Sequence, residues 1–179
     1  MRILVVAAFL SLAACASNPG PSTTEGQTVR VVGSGGGELR VRPSADANIV
    51  ILADSIPRVW AVMSAVYDSV GLPIDPNMMD FKTRQISSGT IKIRRHLGEA
   101  ALSKYLDCGG TQIGPSADSY EIMMSVTTRL VPQPAGATGV STIVEAAGKP
   151  LNFAQAYTPC TSTGRLERFI GDVARIKAR

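Results

Sequence analysis

Apolar residues recur at helical spacing in two stretches of the chain. The first follows Asp54 and Ser55, which can cap a helix, and Pro57, which suits a first helical turn. It runs to about Val70, and Gly71 then ends it. Its apolar stripe consists of Val59, Val62, Met63, Val66 and Val70, with Trp60 and Tyr67 on either side. We therefore predict an amphipathic helix with one face to bury.

The second helical stretch lies at the C-terminus. Thr161, Ser162 or Thr163 can cap it, and basic residues occupy its polar face. Its predicted apolar stripe is Leu166, Phe169, Ile170, Val173 and Ile176. We predict that this stripe also packs against a sheet.

Alternation of apolar and polar residues predicts strands between the two helices. The clearest are residues 120–131 and 139–146, joined by a turn rich in proline and glycine. In the first of these, Tyr120, Ile122, Met124, Val126 and Thr128 are expected to share one face. Shorter predicted strands are 48–53, 81–86 and 90–97; residues 28–43 form a predicted hairpin around a glycine loop, and residues 99–106 a predicted short helix.

These elements predict a single α+β domain over residues 29–179. Each helix has only one apolar stripe, so each needs a sheet face to cover. The simplest arrangement is a curved antiparallel sheet with the long helix and the C-terminal helix packed on one face. The chain has 179 residues, of which 45% are hydrophobic and 18% charged, with mean hydropathy +0.14. That composition excludes a disordered chain and a polytopic membrane protein.

The N-terminus has the layout of a secretory signal peptide. Arg2 is followed by about a dozen apolar residues, too few to span a bilayer, which needs about 20. The run ends in Leu12-Ala13-Ala14-Cys15, which resembles the lipobox of bacterial lipoproteins. The resemblance implies cleavage before Cys15 and acylation of its thiol and new amino group, with more than one acyl chain making a stable anchor.

The alternative for this segment is an ordinary signal peptide cut at Ala14-Cys15-Ala16, with an incidental cysteine. The lipobox interpretation assigns residues 1–14 to the signal peptide and 15–28 to the lipidated N-terminus and a flexible tether. By analogy with Gram-negative lipoproteins, the residue after the acylated cysteine sorts the protein. Because that residue is Ala16 rather than aspartate, we expect an outer-membrane lipoprotein whose domain faces the periplasm.

Two cysteines remain after Cys15 is assigned to lipid. In an oxidising envelope compartment, Cys108 and Cys160 are expected to form one disulfide. Metal binding is the weaker interpretation, because neither cysteine has a neighbouring histidine or cysteine. A catalytic thiol is weaker still, because no Cys-x-x-Cys pair is present.

The order of elements is similar to that of the helix-grip domain of BamC-like lipoproteins, accessory components of the outer-membrane β-barrel assembly machinery. The resemblance covers about residues 48–178 and rests on element order and lipoprotein context rather than on a residue motif. It implies a helix-grip-like fold and a role in outer-membrane assembly or maintenance. BamC-like proteins carry two such domains, and this chain has room for one.

The sequence carries no catalytic motif that we can identify. There is no Gly-x-Ser-x-Gly elbow, His-Glu-x-x-His helix, Ser-x-x-Lys pair or Walker loop. The only histidine, His96, lies within a predicted strand directly after Arg94 and Arg95 and is interpreted as a surface or edge residue. Asp75, Asp80 and Asp118 are interpreted as turn residues. We therefore expect a non-enzymatic protein without a metal or another cofactor.

Basic residues on the predicted strands offer a candidate patch for an anionic partner. They are Arg84, Lys92, Arg94, Arg95 and Arg129. Ordinary solvated faces are the simpler interpretation, because the formal net charge is only +4. The small charge excess and the export signal both argue against nucleic acid as a partner.

Two functions remain for such a domain. The first is an adaptor that binds another envelope protein, which should expose an apolar patch or a strand edge. The alternative is a carrier or sensor that holds a lipid or another apolar ligand in a cavity between helices and sheet. Methionines could line that cavity, although methionine also fills core gaps: Met63, Met78, Met79, Met123 and Met124. We favour the adaptor.

Overall fold

The fold is α+β, as the sequence predicts, and it is built on an antiparallel sheet. The structure is a computed structural model that describes residues 29–32, 38–41, 49–152 and 154–179. Its strands are β1 (Val29–Val32), β2 (Glu38–Val41), β3 (Ile49–Leu52), β4 (Met79–Asp80), β5 (Gln85–Arg94), β6 (His96–Leu97), β7 (Ala100–Ala101), β8 (Leu106–Asp107), β9 (Gly110–Thr111), β10 (Gly114–Pro115), β11 (Glu121–Pro132), β12 (Thr138–Lys149) and β13 (Thr158–Ser162). Its α-helices are α1 (Ile56–Val70), α2 (Ser116–Ser119) and α3 (Arg165–Lys177).

The main sheet has the order β4-β5-β11-β12-β13-β8, and β3 also pairs with β12. The long hairpin β11–β12 is its centre, with Glu121 opposite Lys149 at one end and Pro132 opposite Thr138 at the other. Strands β3 and β13 pair with different halves of β12. The two predicted long strands are therefore confirmed: β11 is shifted by one residue from the predicted range, and β12 extends beyond its predicted range at both ends.

Both long helices pack on the same face of this sheet. The hydroxyl of Tyr67 on α1 reaches Thr128 of β11, and α3 lies against Val50 of β3. Val50 pairs with Val140, and Thr128 pairs with Thr142. Because Val140 and Thr142 are two residues apart on β12, they point to the same face, and so do their partners. The helix-facing residues of β11 are buried as predicted: Ile122, Met124, Val126, Thr128 and Leu130.

Helix α1 has the boundaries that the sequence predicts. Pro57 lies in its first turn, and Gly71 ends it with φ of 77°, in the left-handed region that favours glycine. The Ser55 side chain makes no capping hydrogen bond. Trp60 is half-buried and packs edge-to-face on Phe81, with ring centroids 5.5 Å apart.

Two predicted elements are wrong. Residues 99–106 do not form a helix: Ala100 and Ala101 pair with β6, and a single 3₁₀ turn follows over residues 102–104. The backbone of residues 100–101 pairs with β6, and this tertiary pairing overrides the helical pattern of the sequence. In the predicted strand 81–86 the chain turns before Gln85, and Arg84 has φ of 56°.

The stripe predicted for α3 is also partly wrong. Phe169 is 42% exposed and Ile176 is 72% exposed. The helix instead buries a face with several small residues, because it approaches β3 closely at Gly171. Its buried positions are Leu166, Glu167, Ile170, Gly171 and Ala174. Strand β13, which precedes the helix, was not predicted.

A polar network crosses the core beneath α1. The Tyr67 hydroxyl lies 3.0 Å from Oγ1 of Thr128 and 3.1 Å from the carbonyl oxygen of Ile86, and Thr128 lies 3.0 Å from Oγ1 of Thr142. Burial raises the pKa of Tyr67 to about 12, so the hydroxyl remains a donor at any physiological pH. The network fixes the height and rotation of α1 over three strands.

Tyr67→Phe is expected to lower the free energy of unfolding by about 1–2 kcal/mol, because buried acceptors lose their donor. Urea unfolding of both proteins measures the change. Tyr120→Phe is the matched control, since no hydrogen bond of its hydroxyl is found in the described part of the chain. Equal effects of the two substitutions would contradict a role for the Tyr67 network.

The N-terminal predictions fall mostly outside the described residues. The signal peptide, Cys15 and the tether over 16–28 all lie there. The predicted hairpin is present as paired strands, with Val31 opposite Leu39, while its glycine loop lies outside the described residues.

A candidate protein-binding surface

The face of the sheet turned away from the helices, here called the outer face, carries both charged and exposed apolar side chains. It is formed by the alternate residues of β3, β5, β11 and β12 that do not point at α1 and α3. Across these strands Arg94, Glu121 and Lys149 form one row, and Lys92, Met123 and Ala147 form the next. Farther along, Thr127 pairs with Ile143.

A cationic cluster occupies one end of the outer face. The Glu121 carboxylate accepts hydrogen bonds from Arg94 at 2.8 Å and from the Tyr157 hydroxyl at 2.6 Å, and the Lys149 ammonium lies 3.6 Å away. Lys149 also lies over the Tyr157 ring, 4.9 Å from its centroid. With Lys92 nearby, three cations surround one carboxylate. The cluster therefore has a surplus of positive charge.

The hydrogen bonds of the cluster shift the pKa values of two side chains, Glu121 and Tyr157. The Tyr157 hydrogen bond, followed by the Arg94 bond, lowers the pKa of Glu121 to about 2. Burial, together with the bond to Glu121, raises the pKa of Tyr157 to about 12. Glu121 is therefore ionised, and Tyr157 is its donor, across the physiological range.

The low pKa of Glu121 predicts a pH dependence of stability. A carboxyl group whose pKa is lower in the folded state stabilises the fold above its unfolded pKa, 4.5, and loses that contribution as the pH falls towards 2. Glu121→Gln should therefore flatten the fall in melting temperature between pH 5 and pH 2.5. Glu99→Gln, at an exposed position, is the control and should keep the slope of the unmodified protein. Parallel slopes for Glu121→Gln and the unmodified protein would contradict the assignment.

An isoleucine patch lies at the other end of the outer face. It consists of Ile49, Ile51 and Ile143, which are 49%, 59% and 37% exposed. Ile49 pairs with Ser141 and Ile51 with Gly139, so all three isoleucines point to the same side of β3 and β12. Scattered exposed isoleucines are ordinary, but three neighbours on one sheet face form a contiguous apolar surface.

The predicted basic patch separates into two groups. Lys92 and Arg94 lie on the outer face at the cationic cluster, and Arg95 follows them with φ of 62°. Arg129 lies on the same face of the sheet. It is six residues farther along β11 than Met123, the partner of Lys92, and this spacing corresponds to about 20 Å. Arg84 lies in the turn before β5, where its carbonyl accepts from Leu130 N–H. The five residues do not form one continuous site.

The remaining predicted positions have structural roles. Cys108 and Cys160 form the expected disulfide, which joins the residue after β8 to β13. Asp75, Asp80 and Asp118 accept backbone N–H groups of Asn77, Lys82 and Ser103 respectively. His96 is exposed and pairs with Ala101.

Sequence reasoning missed Glu121, Lys149 and Tyr157 as one cluster. The sequence does contain a signal for the pairing of Glu121 with Lys149. A hairpin that turns at residues 133–137 places these two residues opposite each other. Nothing in the sequence places Tyr157 there, since it belongs to the connection between β12 and β13.

The five methionines proposed to line a cavity do not share one location. Met63 and Met124 are buried in the core, whereas Met78 is exposed and Met123 lies on the outer face. Within residues 49–152 and 154–179, no helix is long and apolar enough to cross a membrane. The same part of the chain contains no cluster of three or more His, Cys, Asp or Glu residues suited to a metal ion.

The chain matches no protein-family model, and no curated protein matches it.

Proposed function

We propose that this chain is a membrane-anchored envelope lipoprotein that acts as an adaptor, binding another envelope protein through the outer face of its sheet. The observation that carries the proposal is the isoleucine patch. These side chains stay exposed although the helix-facing residues Leu52, Val140 and Val144 of the same strands are buried. Exposed apolar patches bordered by polar residues are typical of protein-binding sites. Acylation at Cys15 would hold that surface near the membrane, in a role in outer-membrane assembly or maintenance.

The crosslinking test uses the full-length lipoprotein in its own envelope. A photo-crosslinking residue at Ile51 should give a discrete adduct with one protein. The same residue at Ala65, exposed on α1, is the control and should not give that adduct. Ile143→Asp should weaken the Ile51 adduct, because it places a charge in the patch. Identical adducts at both positions, or none, would argue against the adaptor, as would a protein recovered only with a non-covalent lipid.

The lipid anchor has its own test. Cys15→Ser should leave an unprocessed, unacylated precursor, because the hydroxyl replaces the thiol that takes the first acyl chain. Intact-mass spectrometry distinguishes the products. Ser17→Ala, two residues away, is the control and should be acylated normally. Unchanged acylation of the Cys15→Ser protein would refute the lipoprotein assignment.

A further inference from the structure

The outer edge of β5 is only partly paired. Strand β4 pairs with Gln85 and Ile86 alone, and the Asp75 N–H donates to the carbonyl of Ser87 at 3.1 Å. Among the described residues, no strand pairs with this edge from Thr90 to Arg94. Alternate residues of an edge strand direct their N–H and C=O groups outward, where another extended chain can pair with them.

The two faces of this edge differ in chemistry. Lys92 and Arg94 are exposed on the outer face, whereas Ile91 and Ile93 are half-buried on the helix side. In a strand added beside β5, residues directly opposite would lie about 5 Å from these side chains. The edge therefore offers cations to one side of an added strand and apolar surface to the other.

We infer that Thr90–Arg94 binds an extended acidic segment of the partner protein by strand addition. The segment carries Asp or Glu at the positions facing Lys92 and Arg94, and apolar residues at the positions beside Ile91 and Ile93. The Glu121 carboxylate already contacts Arg94, Lys149 and the Tyr157 hydroxyl. Its single negative charge cannot neutralise all the cations of the cluster, so net positive charge remains. This inference rests on the proposed adaptor function and names the chemistry of the partner.

A second copy of this chain does not fit the same edge. Antiparallel self-pairing centred on Lys92 would place Lys92 against Lys92, and parallel pairing would align the same cations. Like charges directly opposite each other destabilise a strand pair, whereas opposite charges stabilise it. The charge pattern therefore favours an acidic partner over self-association.

The test is a binding titration of the intact lipoprotein in detergent. The probe is a fluorescent nine-residue peptide that alternates glutamate and valine, followed by fluorescence anisotropy. Lys92→Glu should weaken binding about tenfold, because it replaces an attractive cross-strand pair with a repulsive one. Lys82→Glu is the control: it makes the same charge change in the turn before β5 and should leave the affinity unchanged.

Two further peptides separate strand addition from simple charge attraction. A version N-methylated at every residue keeps its charge but has no backbone N–H donors, and it should not bind. A lysine–valine peptide should not bind either. Binding of the N-methylated peptide, equal affinity of the Lys92→Glu protein, or no binding of the glutamate–valine peptide would overturn the inference. If the Ile51 adduct persists in that case, the adaptor function stands and only the edge assignment fails.

Discussion

Replacing Cys108 or Cys160 by alanine is expected to lower the free energy of unfolding by about 4 kcal/mol. The disulfide joins residues separated by 52 positions and closes a loop containing the whole β11–β12 hairpin. In the chain-entropy model, removing such a cross-link increases the conformational entropy of the unfolded chain, which lowers the free energy of unfolding by about 4 kcal/mol. The loss should be large for this small domain, because β13 pairs with β8 at only two positions, Thr161 with Asp107 and Ser162 with Leu106.

Chemical denaturation of the two single variants and the double variant gives a mutant cycle. Because the cysteines share one bond, the double variant should lose little more than either single variant. The unmodified protein in reductant should approach the variants, and this comparison serves as the control. Additive losses in the cycle would contradict a shared disulfide.

Gly171→Ala should destabilise the protein, although helix propensity alone predicts a gain of about 1 kcal/mol. A Cβ at this position would lie 2.5 Å from Cβ of Val50 and would also overlap Cγ2 of the same side chain. Valine is stiff at χ1, so α3 must move away from β3, at a cost of about 1–3 kcal/mol.

The sign of the change in unfolding free energy is the measurement. Arg168→Ala, at an exposed position on the same helix, is the control for propensity and should leave stability nearly unchanged. A stabilised Gly171→Ala protein would show that α3 does not approach β3 as closely as the structure has it. The outcome also tests why Phe169 and Ile176 are exposed, because the close approach at Gly171 fixes the rotation of the helix.

The candidate surface was only partly predictable from the sequence. The alternating residues of β5 identified Lys92 and Arg94, since period-2 alternation places residues on one face of a strand. The sequence does not separate Arg84 and Arg129 from this pair, because position along the chain does not give distance along a sheet. Ile49 and Ile51 were recognised as strand residues, but their exposure depends on what covers each face of the sheet.

The sequence by itself determined the elements with strong, long periods: α1 with its glycine end, the two strands of the central hairpin and the pairing of Cys108 with Cys160. Local alternation, capping chemistry and a count of two leftover cysteines suffice for these. Only the tertiary structure decided which face of α3 is buried, that residues 99–106 pair as strands, and that Tyr157 meets Glu121. These features depend on close packing between segments that are distant in sequence. A local pattern of apolar residues does not specify which distant segment packs against it.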